Sequence, residues 1–120
     1  MSEGKSPLIS KSFSFAVKCI NLYKHLDETK KEFVLSKQIL RSGTSVGANI
    51  REAQNAQSKA DFIHKLSISQ KECDETLYWL ELLLETNFIS KEEFNSINSE
   101  ALELLKMLRS AIITTKNKNS

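Results

Sequence analysis

The stretch RSGTSVGANIRE, Arg41–Glu52, decides how the chain divides into helices. It holds two glycines, and a loop here would split the second apolar segment of the chain in two. A phosphate-binding loop would need the pattern G-x-x-x-x-G-K-[ST] after a strand, and this stretch has neither that lysine nor a strand before it. At 100° per residue, Leu35 and Ile39 before the stretch share a helical face with Val46 after it. We therefore predict one helix that continues through the stretch.

The two glycines of this predicted helix, Gly43 and Gly47, are four residues apart. Each costs a helix interior about 1 kcal/mol relative to alanine, so a compensating contact is expected. They fall on the same predicted flank as Phe33 and Leu40. Small residues in such a row let another backbone approach closely. We expect a second helix, from this chain or from a neighbouring copy, to pack on this flank; the alternative is a tolerated irregularity.

Three short motifs predict where helices begin. In each, a hydroxyl residue is followed three positions later by an acid and four positions later by phenylalanine, which is the pattern of a capping box. The motifs start at Thr29, Ser58 and Ser90. Ser6-Pro7 is a weaker fourth start, because proline is well placed in the first turn of a helix.

Apolar residues recur at helical spacing between these starts, which predicts an all-α protein. The helices are expected at about residues 8–26, 30–56, 59–86 and 91–114. In the first helix we expect a central apolar row of Ile9, Phe13, Ala16, Ile20 and Tyr23, flanked by Phe15, Cys19, Leu22 and Leu26.

The connections between the predicted helices are short, so neighbouring helices should be antiparallel. The prediction is an up-down-up-down four-helix bundle at residues 8–115. The ends, residues 1–7 and 116–120, are expected to be flexible.

The segment LYWLELLLE, Leu77–Glu85, carries more apolar residues than one face of a helix can hold. A helix on the surface of a bundle should bury only a stripe. The residues expected to remain for a contact between copies are Tyr78, Trp79, Leu82 and Leu83. We therefore predict a homo-oligomer; the alternative is that Tyr78 or Trp79 covers an end of the bundle.

The composition excludes several classes of protein. The 120 residues contain no apolar run near the roughly 18 that a membrane span needs, and the N-terminus has no secretion-signal pattern. We expect a cytoplasmic protein with no membrane partner. Cys19 and Cys73 match no metal-binding spacing, and we expect both to be buried without a disulfide.

The sequence shows no pattern of catalytic residues. A di-metal bundle needs a Glu-x-x-His motif on each of two helices, and neither histidine of this chain completes one. The hydroxyl residues Ser42, Thr44 and Ser45 have no histidine nearby in sequence to act as a base. We expect no enzymatic activity, no metal site and no cofactor.

Charge is divided unevenly along the chain, whose net charge is +2. Residues 1–60 carry ten Lys/Arg against five Asp/Glu, and residues 61–120 carry seven against ten. This split indicates either an anionic partner for the first half or oppositely charged faces that meet. The candidate nucleic-acid-binding residues are Lys18, Lys24, Lys30, Lys31, Lys37 and Arg41. A solvated face is the alternative, since no base-reading motif is visible.

The middle of the chain, residues 36–86, closely resembles the 23S rRNA intervening sequence proteins, a bacterial family. The first matching motif is Q-x-x-R-S-x-x-S-x-x-x-N-I-x-E at Gln38–Glu52. The others are D-F-x-x-x-L-x-x-x-x-x-E at Asp61–Glu72 and E-x-x-x-W-L at Glu75–Leu80.

The resemblance implies a four-helix bundle that assembles as a ring-shaped homopentamer. A related branch is the accessory protein of diversity-generating retroelements, where a basic ring surface contacts nucleic acid and the reverse transcriptase. Four residues match the polar motif of the family and are interpreted as structural packing: Ser42, Ser45, Asn49 and Glu52. We expect a non-enzymatic oligomer that binds RNA or DNA through helices one and two. The alternative is a protein-interaction scaffold or accessory subunit without direct nucleic-acid binding.

Overall fold

The structure, a computed structural model, describes residues 6–118 and contains four α-helices and no strand in that range. The helices are α1 (Pro7–Glu28), α2 (Leu35–Ala53), α3 (Lys59–Glu85) and α4 (Lys91–Lys116). The predicted all-α class is confirmed. Of the ends predicted to be flexible, residues 1–5 and 119–120 lie outside the described residues. Between residues 6 and 118, no helix is both long enough and apolar enough to cross a membrane.

The predicted helix starts at Ser6, Ser58 and Ser90 are confirmed. The Ser6 hydroxyl accepts a hydrogen bond from the Leu8 amide at 3.0 Å, and Ser58 accepts one from the Asp61 amide at 3.0 Å. At Ser90 both halves of the capping box are present. The Asp61 carboxylate departs from the predicted pattern by accepting from the amide of Gln57, one residue before the cap.

The start predicted at Thr29 is wrong. Thr29 ends α1, and its amide donates to the His25 carbonyl at 2.9 Å. Lys31 has a φ of 56°, a left-handed conformation that interrupts a helix. The helical conformation is interrupted there, and α2 begins at Leu35 rather than at about residue 30.

The acid of that predicted box, Glu32, caps α2 from outside the helix. Its carboxylate accepts hydrogen bonds from the amides of Val34, Leu35 and Ser36 at 3.2, 2.9 and 2.7 Å. These amides have no partner within the helix, because the first turn of any helix leaves its donors free. A carboxylate there also faces the positive end of the helix dipole.

The helices pack in a closed cycle, with α1 against α2, α2 against α3, α3 against α4, and α4 against α1. Each helix contributes to one apolar core. Its fully buried large side chains are Phe15, Leu26, Ile39, Val46, Ile50, Leu66, Leu80, Leu83, Leu104 and Leu108.

In α1 the buried row is the one predicted to flank the core, and the row predicted to be central lies one position away along the helix. The buried residues are Leu8, Ser12, Phe15, Cys19, Leu22 and Leu26, whereas Phe13 is 58% exposed. Ile9, Ala16, Ile20 and Tyr23 are only half-buried. Both stripes have helical spacing, and the true one contains a serine and a cysteine, so it looks less apolar. Periodicity alone could not choose between them.

Candidate functional site

The seam between α1 and α2 explains the glycines of the Arg41–Glu52 stretch, which is helical throughout as predicted. A β-carbon on Gly43 would lie 2.5 Å from the Cys19 sulfur and 2.7 Å from the Cys19 β-carbon. A β-carbon on Gly47 would lie 3.3 Å from the Ser12 hydroxyl. The helix that approaches this flank is therefore α1 of the same chain.

Phe33 does not share that flank. It lies in the loop before α2 and is 50% exposed, because α2 begins two residues after it. Leu40 is in α2 and is half-buried.

Buried hydroxyls join α2 to α3 inside the core. Ser42 and Thr76 are both fully buried, and their hydroxyl oxygens lie 2.7 Å apart in a hydrogen bond. Ser69, also fully buried, donates to the Val46 carbonyl at 2.7 Å. Buried polar groups of this kind are stable only when they are paired, so they require one alignment of the two helices. Ser69 and Thr76 were missed at the sequence level because a serine and a threonine interrupt the apolar stripe of α3.

Of the other residues of the polar motif, Ser45 and Asn49 form hydrogen bonds within α2, and Glu52 pairs with α3. Ser45 donates to the Arg41 carbonyl at 2.7 Å, and Asn49 donates to the Ser45 carbonyl at 2.9 Å. The Glu52 carboxylate forms an ion pair with Lys65 of α3 at 2.9 Å.

Arg41 is engaged by two acids of α3. Its guanidinium nitrogens lie 3.1 Å from a Glu72 oxygen and 2.8 Å from a Glu75 oxygen. The hydrogen bond to Glu75 raises the pKa of Arg41, and the charge of Glu72 adds to that effect. The positive charge of this candidate residue is thus balanced within the chain.

The side of α1 next to α4 carries lysines that form similar ion pairs with acids of α4. Lys18 forms an ion pair with Glu100 and donates to the Ser96 hydroxyl at 3.0 Å. Lys11 pairs with Glu103 at 3.1 Å. The uneven division of charge along the sequence therefore reflects, in part, basic and acidic faces that meet inside one molecule.

The remaining four candidate cations lie around one end of the bundle. Lys24 is near the end of α1, Lys30 and Lys31 are in the α1–α2 loop, and Lys37 is in the first turn of α2. All four are exposed. Across residues 6–118, none of them lies within 4.0 Å of a carboxylate oxygen. We call Lys24, Lys30, Lys31 and Lys37 the lysine group.

Acids border the lysine group on the α4 side. The Glu93 carboxylate accepts from the Ser90 amide at 2.7 Å. This backbone hydrogen bond lowers the pKa of Glu93, and the charges of His25 and Lys30 lower it further. Lys30 is therefore the member of the lysine group that faces Glu93 at longer range.

Of the four residues of α3 expected to remain exposed for a contact between copies, Tyr78 is exposed and the other three are not. Leu83 is fully buried in the core of its own chain, and Leu82 and Trp79 are half-buried. Tyr78 is 56% exposed, with its ring centroid 5.2 Å from that of Trp79. The other exposed large apolar residues are Phe13, Val17, Phe33, Val34, Leu102 and Ile113.

A shallow groove of about 290 Å³ runs between the outer faces of α1 and α2. Ile9, Phe13 and Ala16 line one side of it, and Ala48 and Arg51 line the other. The Arg51 guanidinium lies 5.8 Å from the centre of the Phe13 ring, within reach of a cation–π contact. This groove was not expected from the sequence, because Ile9 and Phe13 were assigned to the central apolar row of α1.

A second groove, of about 450 Å³, opens between α1 and α4. It is lined by Lys18, Asn21, Leu22, His25, Glu92, Glu93, Ser96 and Ile97. Lys18, which lines this groove, forms the ion pair with Glu100 of α4.

The two cysteines carry no disulfide. Burial raises the pKa of each thiol, Cys19 and Cys73, to about 12. The Cys73 thiol donates to the Ala101 carbonyl at 3.4 Å. Within the described part of the chain, no group of three or more His, Cys, Asp or Glu side chains could hold a metal ion.

Comparison with known proteins gives a match over most of the chain. The pattern of the 23S rRNA-intervening sequence protein family matches residues 5–110, well beyond the segment on which the resemblance was first seen. A crystal structure from Bacteroides thetaiotaomicron VPI-5482, a protein of unknown function from the S23 ribosomal protein family, is similar with a TM-score of 0.87. The two sequences are 59% identical, covering 88% of this chain and 97% of that one. No curated protein matches the chain.

Proposed function

Because the chain belongs to the 23S rRNA-intervening sequence protein family, we propose that it is a non-enzymatic, homo-oligomeric bundle that binds RNA or DNA. The observation that carries this proposal is the lysine group, four exposed cations at one end of the molecule. Cations without a carboxylate partner are available to phosphates, and their binding releases counterions from the nucleic acid.

The proposed surface is smaller than the one expected from the sequence. Lys18 and Arg41 already hold carboxylates of α4 and α3. Nucleic acid would have to break those pairs, so these two residues should contribute less to binding than Lys24, Lys31 or Lys37. Four cations on one chain make a weak binding site for nucleic acid. An oligomer would present several copies of this site, and simultaneous binding to them would raise the overall affinity without any new kind of contact.

Antiparallel neighbours, and hence the up-down-up-down order, are part of the proposal. The order of the contacts supports it: Arg41 meets Glu75 whereas Glu52, later in α2, meets Lys65, earlier in α3. Lys11 meets Glu103 whereas Lys18, later in α1, meets Ser96, earlier in α4.

Self-association is supported by the apolar outer face of α1. Phe13 and Val17 are 58% and 41% exposed, beside the half-buried Ile9, Ala16 and Ile20. Covering apolar surface stabilises an assembly by about 25 cal/mol per Å². A ring of five copies is the arrangement that the family resemblance implies, and the mass of the purified protein in solution tests it.

Binding can be tested by fluorescence anisotropy with a structured RNA and a duplex DNA over a range of salt concentrations. The variant K24E/K31E/K37E should lose most of the affinity and show a shallower dependence on salt. The matched control is K59E/K106E/K116E, three exposed lysines outside the lysine group. Wild-type protein that binds neither probe at low ionic strength would refute the proposal.

A second function, a protein-interaction scaffold, is favoured by the groove between α1 and α2. Its lining of Ile9, Phe13 and Ala16 is apolar, with Arg51 at the rim. Such a surface could be covered by another protein instead of by a second copy. A stoichiometric protein partner that co-purifies after nuclease treatment, and is lost in the variant F13D, would support this function.

A further inference from the structure

In the α1–α2 loop, residues 29–34, the acidic side chain of Glu32 is buried, whereas the other long side chains are exposed. Glu32 is only 9% exposed. On either side of it, Lys31 is exposed and Phe33 and Val34 are 50% and 70% exposed. Acidic side chains are usually exposed and aromatic side chains are usually buried. The burial of Glu32 beside the exposed Phe33 is the reverse of this preference.

The backbone of the loop is held by several hydrogen bonds. The Glu32 amide donates to the Leu26 carbonyl at 2.9 Å. The Glu32 carboxylate accepts from the amides of Val34, Leu35 and Ser36. Phe33 is therefore presented from a segment fixed on both sides, and little further ordering is needed when a partner binds.

Phe33 differs from the other exposed aromatic residues in its electrostatic surroundings. The ring of Phe13 already has the Arg51 guanidinium near its face. Tyr78 shares the outward face of α3 with exposed Asp74 and Glu81, four residues before it and three after it. Phe13 also follows a lysine by two residues, but that lysine, Lys11, is paired with Glu103. Among the described residues, Phe33 is the exposed aromatic side chain whose neighbouring lysines, Lys31 two residues before it and Lys37 four after it, form no ion pair.

An exposed ring beside cations fits the chemistry of a single-stranded nucleic acid. Unpaired bases stack on aromatic side chains while neighbouring phosphates contact lysines. In the interior of a duplex the base faces are covered by one another, so the ring would have no equivalent partner there. A phosphate is also the group that Lys31 and Lys37 would attract.

We propose that Phe33 is a stacking platform for an unpaired base of RNA or DNA, with Lys31 and Lys37 holding the flanking phosphates. The proposal rests on the nucleic-acid binding proposed above and deepens it. It assigns single strands as the preferred partner and gives an exposed loop residue a specific role.

The test compares two probes by fluorescence anisotropy: a labelled oligouridylate of about 12 nucleotides and a blunt DNA duplex of about the same length, a span that one binding site can cover. The variant F33A should weaken binding of the single strand by about 5-fold to 100-fold, the loss expected for one stacked base. Binding of the duplex should stay within about twofold, because it depends on the lysines. F33W should restore single-strand binding.

The matched control is L102A, since Leu102 is 52% exposed on the outer surface of α4 and is also an apolar side chain. L102A should bind both probes as the wild type does. Circular dichroism of F33A should show unchanged helix content, because half of the Phe33 side chain is already in solvent.

The outcomes separate the two proposals. If the wild type binds neither probe, nucleic-acid binding itself fails. If it binds both and F33A behaves like L102A, or weakens both probes equally, the stacking role of Phe33 fails while nucleic-acid binding stands. If F33A abolishes binding to vesicles containing phosphatidylserine and leaves oligouridylate binding unchanged, the loop recognises membranes and the proposal is overturned.

Discussion

The thiol of Cys19 on α1 occupies the space that a β-carbon would need at Gly43 on α2. The separation from the Cys19 sulfur would be only 2.5 Å, which real side chains do not tolerate. Glycine at position 43 therefore lets the two helices lie close together. Gly43 lowers the helix propensity of α2, but any larger residue at this position would prevent α1 from packing so closely on α2.

Replacing Gly43 with alanine should destabilise the protein by about 1–3 kcal/mol, because the gain in helix propensity is smaller than the cost of forcing α1 away. Gly47→Ala is the matched comparison, since its β-carbon would approach no neighbouring atom more closely than 3.3 Å, the distance to the Ser12 hydroxyl. It should fall within about 1 kcal/mol of wild type. Urea unfolding followed by circular dichroism gives both values. A G43A variant more stable than wild type would contradict the close packing described here.

Replacing Glu32 with glutamine should destabilise the start of α2. The carboxylate accepts three backbone amides, and the neutral amide side chain offers one weaker oxygen in its place. The free energy of unfolding should fall by about 1–3 kcal/mol, and the midpoint of thermal unfolding should be lower. Glu28→Gln is the control, because Glu28 is exposed at the end of α1. Equal midpoints for the two variants would show that the Glu32 cap contributes nothing.

The cysteine thiols should be unreactive in the folded protein at neutral pH. Burial raises the pKa of Cys19 and of Cys73 from 9.0 to about 12, and only the thiolate is nucleophilic. We expect no reaction with Ellman's reagent until urea unfolds the chain, and then two thiols per chain. Rapid labelling of the native protein at pH 7 would contradict the buried placement.

Because the pKa of each cysteine thiol is higher in the folded chain than in the unfolded chain, the stability of the protein should depend on pH in the alkaline range. The folded state keeps both thiols protonated above pH 9, whereas the unfolded state releases the protons there. The free energy of unfolding should therefore fall as the pH rises from about 9 toward 12. The variant C19A/C73A should show a smaller fall over that range.

At acidic pH, the capping box of α4 should weaken. The Ser90 backbone hydrogen bond lowers the pKa of Glu93, so the ionised form is favoured in the folded state. Its stabilising contribution is present at neutral pH and is lost as the pH falls through the lowered pKa. The variant E93Q should unfold with less dependence on pH between about 3 and 6, the range in which glutamates titrate. Identical pH profiles for E93Q and wild type would remove this role for Glu93.

The sequence by itself determined the features that depend on neighbouring residues. Hydroxyl caps at Ser58 and Ser90 marked helix starts, because a cap is a contact between residues three apart. The uninterrupted phase across Arg41–Glu52 showed that α2 continues through its glycines, since 3.6-residue periodicity is a local property. The motifs at Gln38–Glu52 and Asp61–Glu72 were enough to recognise the family.

Only the tertiary structure decided which face of α1 is buried, where α2 begins and which cations remain free. Ser12 and Cys19 are in the core because they lie opposite the glycines of α2, a contact between distant segments. The Thr29 motif has the composition of a cap, yet Thr29 ends α1 and α2 begins only at Leu35, because the packing of α2 on α1 outweighs a single capping bond. No local sequence pattern distinguishes Arg41 from the lysine group. Folding brings Glu72 and Glu75 of α3 close to Arg41, so only the charge of Arg41 is paired. Such choices depend on residues that meet only when the chain folds, so no local pattern could reveal them.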